Sequence, residues 1–364
     1  MESTKQHPAL NLLLVGLILY GLYIGKHLLI PLVMAVVVWY LINSIGAQIG
    51  RIEIGEKRAP KWLRTTLAVM VVFSFFWFVG RMVVTNLEEF TEVAPEYNER
   101  IKDLSSDLSE RFDIPTIEDA VHNFDIAGYA EYATYLITSS LAFLSALFVV
   151  IFYVVFLMLE QNIFGKKLDL IFIHRKNKVQ YFQTMERIDH SMKKYMSVKA
   201  FLALMVAIVT YIVCISFSVD FAILWAFLAF LLNWIPFVGA FIAITLPTLL
   251  SLLQYGDWAI TIAIFAILNV FQVVIGNYIE PRMVGKSLNL SPLVVILALA
   301  FWSALWGVAG AFLCVPITVA LMIILSQFPG TRTAAILLSA GNDPSGKTTE
   351  MLKAKSDAGD DETK

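Results

Sequence analysis

Eight long apolar runs constrain the fold of this chain more than any other feature of its sequence. A helix that crosses a bilayer needs about 20 predominantly apolar residues, within a range of roughly 17–25. Six runs fit one crossing each, whereas the two at 221–253 and 293–325 are far too long for a single crossing. The other six runs are 8–24, 28–45, 67–84, 136–159, 201–217 and 259–275.

Composition supports a membrane environment for these runs. Hydrophobic residues make up 58% of the 364 residues and charged residues only 15%, against roughly 45–50% and about 25% in soluble domains. A protein core cannot bury this excess, whereas lipid can. The sequence therefore predicts an all-α polytopic membrane protein with about six full transmembrane helices, two broken or re-entrant helical hairpins, and an amphipathic helical segment on each side of the membrane.

The distribution of Lys and Arg predicts how the chain is oriented. Residues 46–64 carry five Lys or Arg against two acids, residues 160–199 carry nine against four, and residues 86–135 carry three against thirteen. Short loops rich in Lys and Arg stay in the cytoplasm. The first two segments are therefore predicted to be cytoplasmic and the third to be periplasmic, with both termini in the cytoplasm.

These patterns divide the chain into six predicted regions. They are an N-terminal three-helix membrane region (1–85), an outer-face amphipathic helical segment (86–135), a fourth span (136–159), a cytoplasmic amphipathic helical segment (160–200), a transport core (201–327), and a cytoplasmic, largely disordered tail (328–364). In the outer segment, apolar residues recur at steps of three and four, which predicts one helical stripe. Its members are Leu87, Phe90, Val93, Tyr97, Ile101, Leu104, Leu108 and Phe112.

The sequence predicts no catalytic, metal or cofactor site. Cys214 and Cys314 lie in apolar runs without a partner motif, and the five histidines show no ligand spacing. The VGKS at 284–287 matches the end of a phosphate-binding loop, but Glu280 stands where that motif needs its first glycine. Because a carboxylate there would repel the phosphate, an ATPase is excluded.

Helix-breaking residues interrupt both over-long runs near the middle, in the sequences NWIPFVGAF and LWGVAGAF. Proline removes a helix hydrogen bond and disfavours helix at the preceding residue. Gly- or Pro-interrupted segments at matching positions of two halves indicate a transporter's binding site, so these residues are assigned to a substrate path. The alternative is that the glycines only let helices pack closely. The residues assigned to the path are Asn233, Pro236, Gly239, Gly307 and Gly310 in these sequences, together with Pro316 further along the second run.

The topology of the long runs decides on which side the loop between them lies. If each run crosses once, residues 279–291 lie on the outer face, where Arg282 and Lys286 contradict the charge rule. If each run enters and returns as a re-entrant hairpin, the loop is cytoplasmic and the rule holds. The charges favour the second topology.

The span preceding this loop carries three amide side chains, Asn269, Gln272 and Asn277. With 3.6 residues per turn, Asn269 and Gln272 share one face and Asn277 lies about 60° further round. Amides in lipid need hydrogen-bond partners, so the stripe either holds helices together or lines the solute path. The sequence leaves both alternatives open.

The joint at 276–292 is polar for its place between two apolar runs. Its candidate gating or coupling residues are Glu280, Pro281, Arg282, Gly285 and Lys286. Glu280 and Arg282 are too close in sequence for a helical i,i+4 pair, so each is expected to hold a hairpin tip through a separate partner. The alternative is that both side chains extend to the lipid headgroups from a helix end.

Four sequences in this chain resemble those of the autoinducer-2 exporter family of bacterial inner-membrane transporters. They are FLMLE (156–160), LNWIPFVGAF (232–241), GNYIEPRMVGKSLNLSPLVV (276–295) and FWSALWGVAGAFLCVPI (301–317). The resemblance implies a secondary transporter that uses no ATP and assembles as a homo-oligomer, in the form of a pentamer. It implies a small-molecule solute as partner, and nothing in it points to nucleic acid. Some members are credited with exporting the furanone autoinducer-2, and others are sodium(lithium)/proton antiporters.

Three functions compete on the sequence. The first is export of a small polar signalling molecule such as autoinducer-2, which fits a path with amides and few charges. The second is cation/proton antiport, which needs a carboxylate near the membrane midplane, whereas Asp220, Asp257 and Glu280 all stand at the ends of the late runs. This placement favours the exporter. A membrane scaffold or regulatory protein is a lesser alternative.

Overall fold

The computed structural model describes residues 8–50, 53–54, 57–58, 60–112, 140–172, 178–284, 289–328 and 330–341. These residues are helical almost throughout, apart from two strands of two residues each. The chain divides into two compact units, one made of Met1–Tyr40, Val149–Met196 and Lys286–Lys364 and the other of Leu41–Phe148 and Ser197–Gly285. They are called the first and the second unit below.

Eleven α-helices and one π-helix follow one another in the described part of the chain. They are α1 (Pro8–Ile24), α2 (Lys26–Ile49), α3 (Lys61–Phe112), α4 (Ser140–Phe172), α5 (Lys178–Ser216), α6 (Ala222–Leu232), α7 (Val238–Tyr255), α8 (Trp258–Val273), the π-helix (Val274–Ile279), α9 (Glu280–Val284), α10 (Pro292–Ser326) and α11 (Arg332–Leu338). Strands β1 (Glu53–Ile54) and β2 (Lys57–Arg58) pair antiparallel between α2 and α3.

The prediction of a polytopic all-α membrane protein is confirmed. Within the described residues, six helical stretches are long and apolar enough to cross a bilayer: Lys26–Ile49, Trp62–Met82, Phe182–Ser216, Val238–Tyr255, Trp258–Met283 and Pro292–Ser326. Length alone does not make each of them a simple crossing. The last stretch contains a backbone reversal at Gly307, where φ is 63° and ψ is −140°.

Helix α3 is longer than any membrane span requires. Its 52 residues extend over about 78 Å at 1.5 Å per residue. The helix passes without interruption from the apolar run into the amphipathic segment, across the region boundary predicted at residue 85. Of the predicted stripe, Phe90, Val93 and Ile101 pack around the buried Tyr97 against the core of the second unit. The side chains of Leu87, Leu104, Leu108 and Phe112 lie outside the description.

Helices α4 and α5 also run across the predicted region boundaries. Helix α4 continues past residue 159 to Phe172, and α5 joins the predicted cytoplasmic segment and the following apolar run in one helix of 39 residues. The apolar stripe of its first half ends in Met192 and Tyr195, which are buried. Neither a proline nor a glycine lies within α5, so nothing in the backbone ends the helix between its polar and its apolar part.

The first unit closes its C-terminal end with a short helix inside the region predicted as a largely disordered tail. Helix α11 packs on α10. The flanking backbone returns to the start of α10, because the N–H of Ser291 donates to the Leu338 carbonyl at 3.2 Å and the N–H of Ala340 donates to the Asn289 carbonyl at 3.0 Å. Residues 342–364 of the predicted tail lie outside the described residues.

Candidate functional site

The first over-long run is a helical hairpin in the second unit. Helices α6 and α7 pack against each other, and the chain reverses between them at residues 233–237. The N–H of Ile235 donates to the Leu232 carbonyl at 2.8 Å, and the N–H of Val238 donates to the Pro236 carbonyl at 2.6 Å. At Phe237 the backbone has φ 60° and ψ −61°, which is the geometry of a strained γ-turn.

The two arms of this hairpin touch backbone to backbone at the tip. Gly239 is buried, and a Cβ atom added to it would overlap the carbonyl oxygen of Leu232 on the facing arm. A backbone carbonyl cannot move aside as a flexible side chain can. Glycine at 239 is therefore required by the close approach of the arms.

The second over-long run also doubles back, in the first unit. The Trp302 indole N–H donates to the Thr318 hydroxyl oxygen at 3.2 Å, although 16 residues of uninterrupted helix would separate the two by about 24 Å. The reversal lies at Gly307, whose positive φ favours glycine,. Pro316 is buried in the arm that follows.

The tip of the second hairpin repeats the close approach seen in the first. A Cβ atom added to Gly310 would overlap the carbonyl oxygen of Trp302, as one added to Gly239 would overlap that of Leu232. In both hairpins a glycine shortly after the reversal lies against a carbonyl shortly before it. The matching positions predicted from sequence thus correspond to matching backbone geometry.

Asn233 is the polar side chain at the first tip. It directly follows α6 and is only 6% exposed. Its Nδ2 is buried and has no hydrogen-bond partner among the described residues. Because an unpaired buried amide costs free energy, this group is a strong candidate for binding a hydrogen-bond acceptor.

The three amides of the neighbouring span have different surroundings. Asn269 and Gln272 are half-buried on α8, and Gln272 lines a cavity of about 10 Å³ together with Thr210 of α5. Asn277 is exposed. The π-helix begins between Gln272 and Asn277, so the α-helical spacing assumed from sequence does not hold, because a π-turn is wider than an α-turn.

The joint at 276–292 begins as helix, since α9 continues the π-helix. Glu280 accepts a hydrogen bond from the Lys199 ammonium of α5 at 2.8 Å. The Lys199 side chain is 7% exposed and the Glu280 side chain 28%. Pro281 and Arg282 are exposed. The other two candidate residues of the joint, Gly285 and Lys286, lie outside the described residues.

A polar cluster holds the amphipathic part of α3 on the open end of the first hairpin. The Tyr97 hydroxyl donates to the Asp220 carboxylate at 2.6 Å, and the Arg100 guanidinium donates to the Gln254 carbonyl. Gln254 also joins the two ends of the hairpin, because its Nε2 donates to the Ser218 carbonyl at 2.9 Å. Burial and the hydrogen bond to Asp220 raise the pKa of Tyr97. These hydrogen bonds hold the hairpin at its open end, opposite the tip that carries Asn233.

Comparison with known proteins identifies the family. The profile of the AI-2E family transporters matches residues 12–330. This chain belongs to that family. It is a transporter, and its hairpins, amides and ion pair are therefore features of a transport protein.

Three relatives of this AI-2E family transporter resemble it over nearly their whole length. A Haemophilus influenzae protein, provisionally named a transport protein, is 29% identical over 92% of this chain and 96% of its own. The AI-2 transport protein TqsA of Escherichia coli K12 is 27% identical over 89% of this chain and 92% of its own. The protein YhhT of the same strain, also provisionally named a transport protein, is 26% identical over 94% and 97%.

Sequence reasoning missed two parts of this family member's site. In the sequence, Lys199 is one of the basic residues of the segment predicted to be cytoplasmic, and its position at the edge of an apolar run is the signal that it is buried. Asp220 stands out in the sequence only as an acid at the end of a run. Its partner Tyr97 belongs to the predicted stripe, where a tyrosine among aliphatic residues indicates a need for a hydrogen-bond partner.

Proposed function

We propose that this transporter exports a small, polar, near-neutral signalling molecule such as autoinducer-2 across the bacterial inner membrane. The observation that carries the proposal is the buried amide of Asn233, whose Nδ2 has no partner among the described residues, at the hairpin tip that Gly239 closes. Such a donor suits the hydroxyl and ether oxygens of a polar solute. The name of the E. coli relative, an AI-2 transport protein, supports the same class of solute.

The proposal includes re-entrant hairpins. Helix α6 has 11 residues, which reach about 16 Å and cover only half of a hydrocarbon core of about 30 Å. A hairpin with this first arm ends within the membrane and returns to the side from which it entered. The loop at 279–291 is then cytoplasmic, and both termini are cytoplasmic as well.

The amides and the ion pair take separate roles in this proposal. Asn269 and Gln272 stabilise the packing of α8 or contact the solute, while the Lys199–Glu280 pair fixes the end of the same helical rod to α5. In the first unit, Gly307 and Gly310 give the second hairpin a tip of the same construction.

Transport assays test the proposal directly. A strain lacking the gene should release less autoinducer-2, and the wild-type gene should restore release. Asn233→Ala should fail to restore it at equal membrane levels, whereas Gln183→Ala, which removes an exposed amide of α5, should restore it fully. Full export by Asn233→Ala would contradict a role for this amide in the solute path.

Cation/proton antiport is a second candidate, favoured by the Lys199–Glu280 pair. It places a carboxylate beside a nearly fully buried ammonium, and paired charges within membrane segments mark ion pathways. Under antiport, Glu280→Gln should abolish proton-coupled sodium efflux from proteoliposomes at an unchanged protein level. Under solute export, the same change weakens packing and leaves the pH profile of the remaining transport as in the wild type.

A further inference from the structure

A groove outside the hairpin tips lies in the second unit between α3, the end of α5 and the start of α6. Its volume is about 490 Å³, within the range of roughly 300–1,000 Å³ that small-molecule sites occupy. None of the residues assigned to the solute path lines it. The groove is therefore separate from the residues assigned to the solute path.

One wall of the groove is apolar and open. Phe78 of α3 is 54% exposed, Ile215 of α5 is 52% exposed and Ile223 of α6 is 41% exposed. Large apolar side chains on one concave surface can bind a hydrocarbon chain, because the bound chain covers apolar area that would otherwise contact water or loosely packed lipid.

The other wall carries two opposite charges. Arg81 and Glu89 both line the groove from α3, and eight residues of helix separate them by about 12 Å along the axis. The Arg81 guanidinium lies 6.0 Å from the centre of the Trp77 ring. Within the described residues, neither Arg81 nor Glu89 forms an ion pair. A ligand with one anionic and one cationic group would satisfy both.

Aromatic side chains place the groove at the level of the lipid headgroups. Trp77, Tyr211, Tyr255 and Trp258 are all exposed near this end of the unit. Trp and Tyr concentrate at the interface between hydrocarbon and water. The charged wall of the groove then faces the headgroup layer, and the apolar wall faces the hydrocarbon.

We propose that the groove binds one phospholipid with an amine-bearing headgroup. The phosphate binds Arg81, the ammonium lies toward Glu89, and an acyl chain follows Phe78, Ile215 and Ile223. The opposite charges decide the headgroup, because an anionic lipid without an amine would leave Glu89 beside a second negative group. The binding is independent of the transported solute.

Native mass spectrometry of the full-length protein in detergent tests the headgroup contacts. Phosphatidylethanolamine and phosphatidylglycerol with identical acyl chains serve as probes. We expect the wild type to retain one tightly bound phosphatidylethanolamine. Its affinity should be about tenfold lower in Arg81→Gln, because a charge-assisted hydrogen bond is lost. Arg81→Lys should restore the affinity. Glu89→Gln should bind both lipids equally. Lys102→Gln removes a charge from the exposed far part of α3 and should bind as the wild type does.

Two results would overturn the proposal. One is equal retention of phosphatidylethanolamine by the wild type and by Arg81→Gln, with both proteins folded by their unfolding midpoints. The other comes from a benzophenone amino acid placed at Ile223 and activated in membranes. A lipid adduct supports the proposal, whereas a cross-link to a second copy of the chain shows that the groove is a contact between protomers.

Discussion

The ion pair between Lys199 and Glu280 allows a quantitative prediction, because its two members differ in burial. The Lys199 side chain is 7% exposed and the Glu280 side chain 28%, with 2.8 Å between Nζ and Oε1. Removing the carboxylate leaves a buried ammonium without its partner. Removing the ammonium leaves a carboxylate that is already partly exposed.

This asymmetry sets the expected sizes of the effects. Breaking a buried pair from one side costs about 3–5 kcal/mol, and the partial exposure of Glu280 places Glu280→Gln near the lower end, at about 3 kcal/mol. Lys199→Met keeps the volume of the side chain and removes the buried charge, so it should cost about 1 kcal/mol. The double variant should resemble Lys199→Met, which corresponds to a coupling of about 2–3 kcal/mol.

The assay is denaturant unfolding of the purified protein in mixed micelles, followed by tryptophan fluorescence. The exposed pair of Glu160 and Lys167, with side chains 44% and 57% exposed, is the matched control. Glu160→Gln should change the free energy of unfolding by less than about 1 kcal/mol. If the effects of Glu280→Gln and Lys199→Met simply add in the double variant, the pair contributes no interaction of its own and the reasoning is refuted.

Three further predictions follow from the hairpins and from the cluster on α3. Gly239→Ala and Gly310→Ala should each yield little folded protein in size-exclusion chromatography, because the new methyl group meets a backbone carbonyl. Gly80→Ala is the control, since a Cβ atom there meets nothing within 4 Å, and it should yield as much folded protein as the wild type. Equal yields for all three variants would contradict the close approach. Tyr97→Phe should cost about 1.5–3 kcal/mol of unfolding free energy, since it removes a hydrogen bond to a carboxylate; a change below about 0.5 kcal/mol would show that the bond is replaced by water. The folded state raises the pKa of Tyr97 and so favours the neutral phenol. The contribution of Tyr97 to stability is therefore complete below the unfolded pKa of about 10 and is lost at higher pH. Above about pH 10 the wild type should lose more stability than Tyr97→Phe, and parallel alkaline unfolding of the two proteins would contradict this.

The parts of the fold that sequence predicted are those governed by local rules. A proline and several glycines near the middle of the apolar runs indicated backbone breaks, and the structure reverses at 233–237 and at Gly307. The stripe through Phe90 and Tyr97 followed from the helical period alone. Helix geometry and hydrophobic burial act over a few residues, so a single sequence contains enough information about them.

The features that sequence reasoning missed depend on contacts between distant residues. Lys199 and Glu280 are 81 positions apart, and no spacing rule links them. No pattern in the sequence predicted the π-helix at Val274–Ile279, in which Asn277 is exposed. The charge pattern of the sequence also does not predict where α3 ends, because the helix continues beyond its apolar part into a polar segment.

The shortness of α6 has a consequence for how the protein is made. Its 11 residues span about 16 Å as a helix, so when they leave the ribosome they are too short to remain across the bilayer alone. In a hairpin that enters the membrane from one side, α6 gains its packing partner only once α7 has been synthesised, because the two arms meet where Gly239 lies against the Leu232 carbonyl. Insertion of such a hairpin is a step of two helices at once, and the 18 residues of α7 are needed to complete it.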